Sequence, residues 1–166
     1  YARDGGGPYI GEPVSQFQHA AQCADLARAA GGSDDVVCAA FLHDIGHLCS
    51  GDRTVERMAE FGVAHHERRG ADYLRARGFS DHVVRLVEQH VNAKRYLSFK
   101  HADYAAKLSD ASTRTLQYQG GPMTATEAAA FEADASFGLV LKLRAWDEAA
   151  KVVGRTPPRL EAGTGA

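Results

Sequence analysis

The sequence predicts an all-α fold, a single helical-bundle domain of six or more helices. Three observations lead there. Between residues 8 and 153 the apolar pattern is helical throughout. Helix-start and helix-stop residues punctuate it, with Ser33, Ser80 and Thr124-x-x-Glu127 at starts and Gly31-Gly32 and Gly78 at stops. No alternating segment competes, because the β-branched run Val83 to Val87 has flanks and a length that suit a helix better. The 166 residues amount to one domain. Residues 1–7 read as a flexible Gly-rich lead-in, 8–153 as the domain and 154–166 as a loose tail.

The elements follow in order. Val14 to Ala30 is rich in Ala, Leu and Gln and ends at Gly31-Gly32. Ser33 is a candidate N-cap, and Asp34 and Asp35 favour the positive end of the next helix. That helix is expected from Asp34 to about Cys49, apolar at Val36, Val37, Ala40, Phe41, Ile45 and Leu48, with Ser50-Gly51-Asp52 ending it. A third helix runs near Ala64 to Arg77, and Ser80 caps one from Asp81 to about Ala93. The Thr124/Glu127 box opens a last stretch that breaks near Asp134 to Ser136 and resumes to Lys151.

Composition narrows the function. Hydrophobic residues are 45% and charged residues 24%, ordinary for a soluble globule, and net charge is −2. That balance argues against a broad nucleic-acid or anionic-membrane surface. No apolar run approaches the ~20 residues of a membrane span, and no signal-peptide pattern opens the chain, so a cytoplasmic location is expected. Three cysteines, Cys23, Cys38 and Cys49, are too few and too odd for a disulfide framework. Cys23 and Cys38 read as small buried hydrophobes. His82 and His101 read as solvent-facing.

The placement of the eight histidines is more telling than their number. His43-Asp44 falls within the most apolar predicted helix, where ionisable groups are costly unless paired. His47, four residues on, is expected on the same helical face. His19, His65-His66, His90 and Asp147 fall on other helices. Helical bundles build metal sites from such facing side chains, and the imidazole–carboxylate mixture suits Fe, Mn or Zn.

His19, His43-Asp44 and Asp147 resemble the H…HD…D signature of HD-domain metalloproteins, and His43 to His47 is a common form of its core. The resemblance implies one metal on His19, His43, Asp44 and Asp147. It implies a second on His66, His90 and the other oxygen of Asp44. His66 is preferred to His65 because the segment His66 to Leu74 matches the family form.

Three local segments resemble a narrower group, the mixed-valence di-iron organophosphonate oxygenases of the PhnZ and TmpB type. They are Tyr9-Ile-Gly-Glu12 leading to His19, then His90-Val-Asn-Ala-Lys94-Arg-Tyr-Leu97, and Leu108 to Ser112 with Tyr118 to Met123 and Arg144-Ala-Trp-Asp147. The resemblance covers roughly residues 8 to 152. Lys94 lies one helical turn after His90, and Arg144 three residues before Asp147. Both cations are thereby expected beside the metals, forming an anion pocket with hydroxyls from Ser112 and Thr115. By resemblance Tyr9 caps one iron at rest, Glu12 meets the substrate's amino end, and His47 lies just outside the metals' ligands.

The function so implied is O2-dependent cleavage of the C–P bond in a 1-hydroxy-2-aminoethylphosphonate, on an Fe(II)/Fe(III) pair. The products are phosphate and glycine, or glycine betaine from an N-trimethyl substrate. Glu12 suits either cation, and Tyr9, Phe17, Tyr96 and Asn92 are candidates near the amine. The implied partners are the small organophosphonate and an upstream hydroxylase of the 2-oxoglutarate-dependent type. The rival readings are an HD phosphohydrolase acting on a small phosphate ester or nucleotide, and a non-catalytic HD module.

Overall fold

The structure, a computed structural model, describes residue 1 and residues 4–9, 11–49, 56–59 and 62–155. Among the described residues the complete regular elements are eight α-helices and a 3₁₀ turn, with no strand beyond two isolated bridges. The helices are α1 (Gln16–Ala29), α2 (Asp34–Leu42), α3 (His66–Arg75), α4 (Asp81–Lys100), α5 (Ala102–Lys107), α6 (Asp110–Tyr118), α7 (Ala125–Glu132) and α8 (Phe137–Ala149). The 3₁₀ turn, η1, is Ile45–His47. The all-α expectation therefore holds. The Ser50-Gly51-Asp52 stop and the tail beyond residue 155 lie outside the described residues. No described helix is long and apolar enough to cross a membrane.

Local chemistry explains most boundaries. Ser15 opens α1 with a capping box, its hydroxyl accepting from Gln18 N while Gln18 Oε1 accepts from Ser15 N. The Thr124/Glu127 box at α7 is present in both directions. Ser80 caps α4 through Val83 N and donates to Asp35 Oδ2 at 2.7 Å. Ser33 occupies the N-cap of α2 without a side-chain cap bond. Carbonyls of Gly5 and Gly7 accept from Phe17 N and Gln16 N, tying the lead-in to the start of α1.

The longest helix, α4, is the central element, packed by α2, α3 and α8, with α1 lying across α2 and α8. Ala20, Ala21, Ala24 and Ala27 of α1 and Ala39 and Ala40 of α2 are buried. Small side chains there let helix axes approach closely. Leu74, Val83, Leu86, Val87, Val140 and Leu143 fill the remainder of the core.

The 34–49 helix needs correction. It stops at Leu42, His43 is its C-cap, and Asp44 turns out of α geometry at φ −100°, ψ 10° before η1 begins. His43-Asp44 thus ends the helix rather than sitting within it, and His43 and His47 do not share a helical face. The cause is tertiary. Gly46 has no side chain, which lets η1 lie directly against the backbone of His66 and Gly70 on α3. A continued helix would forgo that close approach. The helix predicted to end near Ala93 runs on to Lys100, and the third helix is shorter than predicted, opening at His66 rather than near Ala64. Cys23 is fully buried, whereas Cys38 is only half-buried.

Candidate metal centre

Five segments converge on a buried polar cluster. His19 comes from mid-α1, His43 and Asp44 from the turn after α2, and Asp147 from α8. His66 opens α3 and His90 lies within α4. All six side chains are buried, His43 completely.

Their atoms form two adjoining donor sets. In the first, His19 Nε2 lies 3.2 Å from His43 Nε2 and 3.3 Å from Asp147 Oδ1, and His43 Nε2 lies 3.3 Å from Asp44 Oδ2. In the second, His66 Nε2 lies 3.1 Å from His90 Nε2, and both face Asp44 Oδ1, at 3.3 and 3.4 Å. Asp44 gives one oxygen to each set.

The donor chemistry fits cations. His19 Nδ1 faces Ala150 O at 2.9 Å, His43 Nδ1 faces Ala40 O at 2.8 Å, and His90 Nδ1 faces Val87 O at 2.7 Å. A carbonyl only accepts, so each Nδ1 carries the proton, and each neutral ring presents a bare lone pair at Nε2. Two such lone pairs 3.2 Å apart repel unless a cation or a proton lies between them. Backbone-anchored imidazoles of this kind are held in the orientation metal ligands need. Burial pushes the His43 imidazole toward neutrality, but Asp44 outweighs it and raises its pKa. Burial raises Asp44 and Asp147, yet His43 beside the first and Arg144 beside the second hold both carboxyls well below the usual range. The donor set can hold two metal ions, the first on two imidazoles and two carboxylates, the second on two imidazoles and one.

His65 is exposed and in left-handed geometry at φ 54°, outside the cluster, whereas His66 is inside it. His47 stacks on His66, centroids 4.0 Å apart, and its Nδ1 accepts from Val63 N at 3.2 Å. Burial, helped by His66, holds its pKa well down, so the ring is neutral with its proton on Nε2. Tyr9 stacks on His19 at 3.9 Å, and burial, with Asp44 nearby, holds its phenol well above the usual pKa. Gly11, at φ +72°, turns this loop where a Cβ would meet Ala111 Cβ at 2.7 Å.

A pocket opens over the second donor set, and the expected anion groups line it. Lys94 Nζ, buried, donates to Thr115 Oγ1 at 2.9 Å and approaches Ser112 O at 3.5 Å. Desolvation pushes its pKa down to about 7. Arg144 also lines the pocket but is already engaged. It bonds Asp147 Oδ2, Tyr104 Oη at 2.9 Å and Glu148 Oε1 at 3.0 Å. It therefore fixes Asp147 so that Oδ1 faces the histidines. Glu12 reaches the pocket, with Oε1 accepting from Lys151 Nζ at 2.6 Å.

Sequence reasoning missed Lys151, Gln119, Tyr104 and Glu148. Gln119 lines the pocket, and its buried Oε1 has no partner among the described residues. The i,i+4 spacing of Arg144 and Glu148 was a readable signal. Lys151 follows the end of α8 and has no helical register to betray it. Of the candidates near an amine, Phe17 packs on Tyr1 and Phe41, and Tyr96 on Phe131 and Phe137. Asn92 donates to Gln89 and lies outside the pocket. Only Tyr9 of that group faces it.

An all-helical fold carrying two adjoining His/Asp donor sets that share one aspartate defines a class of metal-binding helical proteins. Residues 17–135 match the HD domain family, and the chain belongs to it. Asp147 lies beyond the matched span. Three relatives are similar over most of the chain. An uncharacterised protein of Acanthamoeba polyphaga mimivirus is 40% identical over 94% of this chain and 71% of its own length. The 1-hydroxy-2-(trimethylamino)ethylphosphonate dioxygenase (glycine-betaine-forming) of Leisingera caerulea is 37% identical, covering 91% of this chain and 76% of that protein. The hydroxymethylphosphonate dioxygenase of Gimesia maris is 38% identical, covering 96% and 79%.

Proposed function

We propose that this protein is a di-iron, O2-dependent oxygenase that cleaves the C–P bond of a small 1-hydroxyalkylphosphonate. The dioxygenase names of two relatives support oxidative C–P cleavage in general. The single observation that carries the reading for this chain is the buried Lys94 cradle next to two donor sets joined by Asp44.

His19, His43, Asp44 and Asp147 would hold one iron, and Asp44, His66 and His90 the other. When bound, the pair would activate O2, which accepts the electrons lost from the C–P carbon. The chain's own residues do the rest. Lys94, with Thr115 and Ser112 against it, receives the phosphonate through charge-assisted contacts. His47 holds a proton on Nε2 at the pocket wall, available to a substrate oxygen. Tyr9 covers the first donor set from the loop side. Arg144 keeps Asp147 ionised and oriented.

For the 1-hydroxy-2-aminoethylphosphonate expected from the sequence, one O2 per substrate gives phosphate and glycine, or glycine betaine from the N-trimethyl form. Because the reaction starts from a 1-hydroxyphosphonate, a hydroxylation must precede it. The test is ³¹P NMR of iron-loaded protein with each candidate phosphonate, under air and under argon. Phosphate released only under air is the expected result. Equal phosphate release under argon, or release only from phosphate esters, overturns the reading in favour of a phosphohydrolase.

A further inference from the structure

We infer that the ion pair between Glu12 and Lys151 is a specificity filter, directing this site to 1-hydroxyphosphonates without a cationic amine; the inference rests on the phosphonate reading above. Glu12 is the acidic group of the Tyr9–Glu12 loop, and on sequence it is the natural partner for a substrate ammonium. In the structure its Oε1 is taken by Lys151 Nζ at 2.6 Å, from the segment after α8. Both side chains are largely shielded, at 13% and 20% exposure, so water screens the pair only in part.

The pair stands between two cavities. Glu12, Lys151, Ser112 and Arg144 line both the metal-side pocket and an outer cavity that also touches Tyr104, Lys107 and Glu148. The charges of that outer region are Lys107, Arg144 and Lys151 against Glu12 and Glu148. Glu148 is held by Arg144 at 2.8 Å, as Glu12 is by Lys151. Among the described residues lining this outer cavity, no carboxylate is left for an ammonium. An amine arriving near Glu12 meets Lys151 at similar range; attraction and repulsion cancel, and the ammonium's lost hydration is left uncompensated. A trimethylammonium gains little more. It needs an aromatic wall, but the Tyr9 face is stacked on His19, and Tyr104 of the outer cavity sits against the Arg144 guanidinium, which repels a second cation. The phosphonate end keeps its own cation, because Lys94 donates to Thr115 Oγ1 and, among the described residues, pairs with no carboxylate.

The simplest substrate of this class is hydroxymethylphosphonate. With one O2, its carbon loses four electrons and leaves as formate, and phosphorus leaves as phosphate. Atoms and electrons balance without a further reductant.

The experiment measures dissociation constants by calorimetry on anaerobic iron-loaded enzyme, for hydroxymethylphosphonate and 1-hydroxy-2-aminoethylphosphonate. Wild type should bind the first at least tenfold more tightly. K151M should shrink that ratio tenfold or more by freeing Glu12, and K151R should retain it. K151E, which adds a second carboxylate, gives the same readout should K151M fold poorly. A wild-type preference for the amino compound, or a ratio unmoved in K151M and K151E, overturns the filter. Subsequent O2 addition keeps the two readings apart: phosphate released from either compound upholds C–P cleavage whichever way the ratio falls, and failure of both to bind or react overturns both.

Discussion

Gly46→Ala is the substitution whose effect can be worked most directly from the structure. A Cβ at Gly46 would lie 1.9 Å from His66 O, 2.7 Å from His66 C and 2.9 Å from Gly70 N. The first contact is about 1.5 Å short of ordinary van der Waals separation, and every atom met is backbone. No side-chain rotation relieves it, so η1 and the start of α3 must move apart. Overpacking of this kind costs about 1–3 kcal/mol, and a backbone clash belongs at the upper end. The movement also separates Asp44, two residues before Gly46, from His66, whose Nε2 now lies 3.3 Å from Asp44 Oδ1. The variant should lose about 2–3 kcal/mol in urea unfolding. It should lose the metal of the second donor set while the first, which does not use His66, still loads. Gly70→Ala is the internal control. Its Cβ meets its nearest neighbour at 3.2 Å, and the gain in helix propensity of about 0.8–1 kcal/mol offsets that tightness. If Gly46→Ala retains wild-type stability and both metals, the close approach of η1 to α3 does not build the site.

Further outcomes follow from the same geometry. Asp44→Ala should lose both metals, since its two oxygens serve the two donor sets, whereas Asp147→Ala should lose only the first; metal analysis after dialysis decides it. Lys94→Ala should weaken anaerobic phosphonate binding ten- to a hundredfold, about 1.5–3 kcal/mol, with metal content unchanged. Because burial lowers the Lys94 pKa to about 7, its charge is present below that pH and lost above it. Binding should therefore weaken from pH 6 to 8 relative to Lys94→Arg, a comparison that cancels titration of the ligand itself. Arg144→Ala should weaken metal at the first donor set by about ten- to a hundredfold as well as phosphonate binding, because it removes the group that orients Asp147.

Spacing carried the fold where local signals decide it. The Thr124/Glu127 box, the Ser80 cap and the glycine stops lie where the residues placed them. It failed at His43, where a contact to α3, more than twenty residues away in sequence, ends the helix early. The same blindness hid the site's detail. The clustering of His19, His43, Asp44, His66, His90 and Asp147 was legible because each is an ionisable residue inside an apolar pattern. Their pairing through two oxygens of Asp44 depends on that turn. Glu12 and Lys151 are 139 residues apart, and nothing local marks one as the other's partner.

The central claim is a two-iron centre that spends O2 on a C–P bond. The direct measurement loads the protein with iron anaerobically, counts iron per chain, and then follows O2 uptake and phosphate release together on a 1-hydroxyphosphonate. Two irons per chain and one O2 consumed per phosphate are predicted. A single tightly held zinc, with phosphate freed from esters and no O2 uptake, would contradict it.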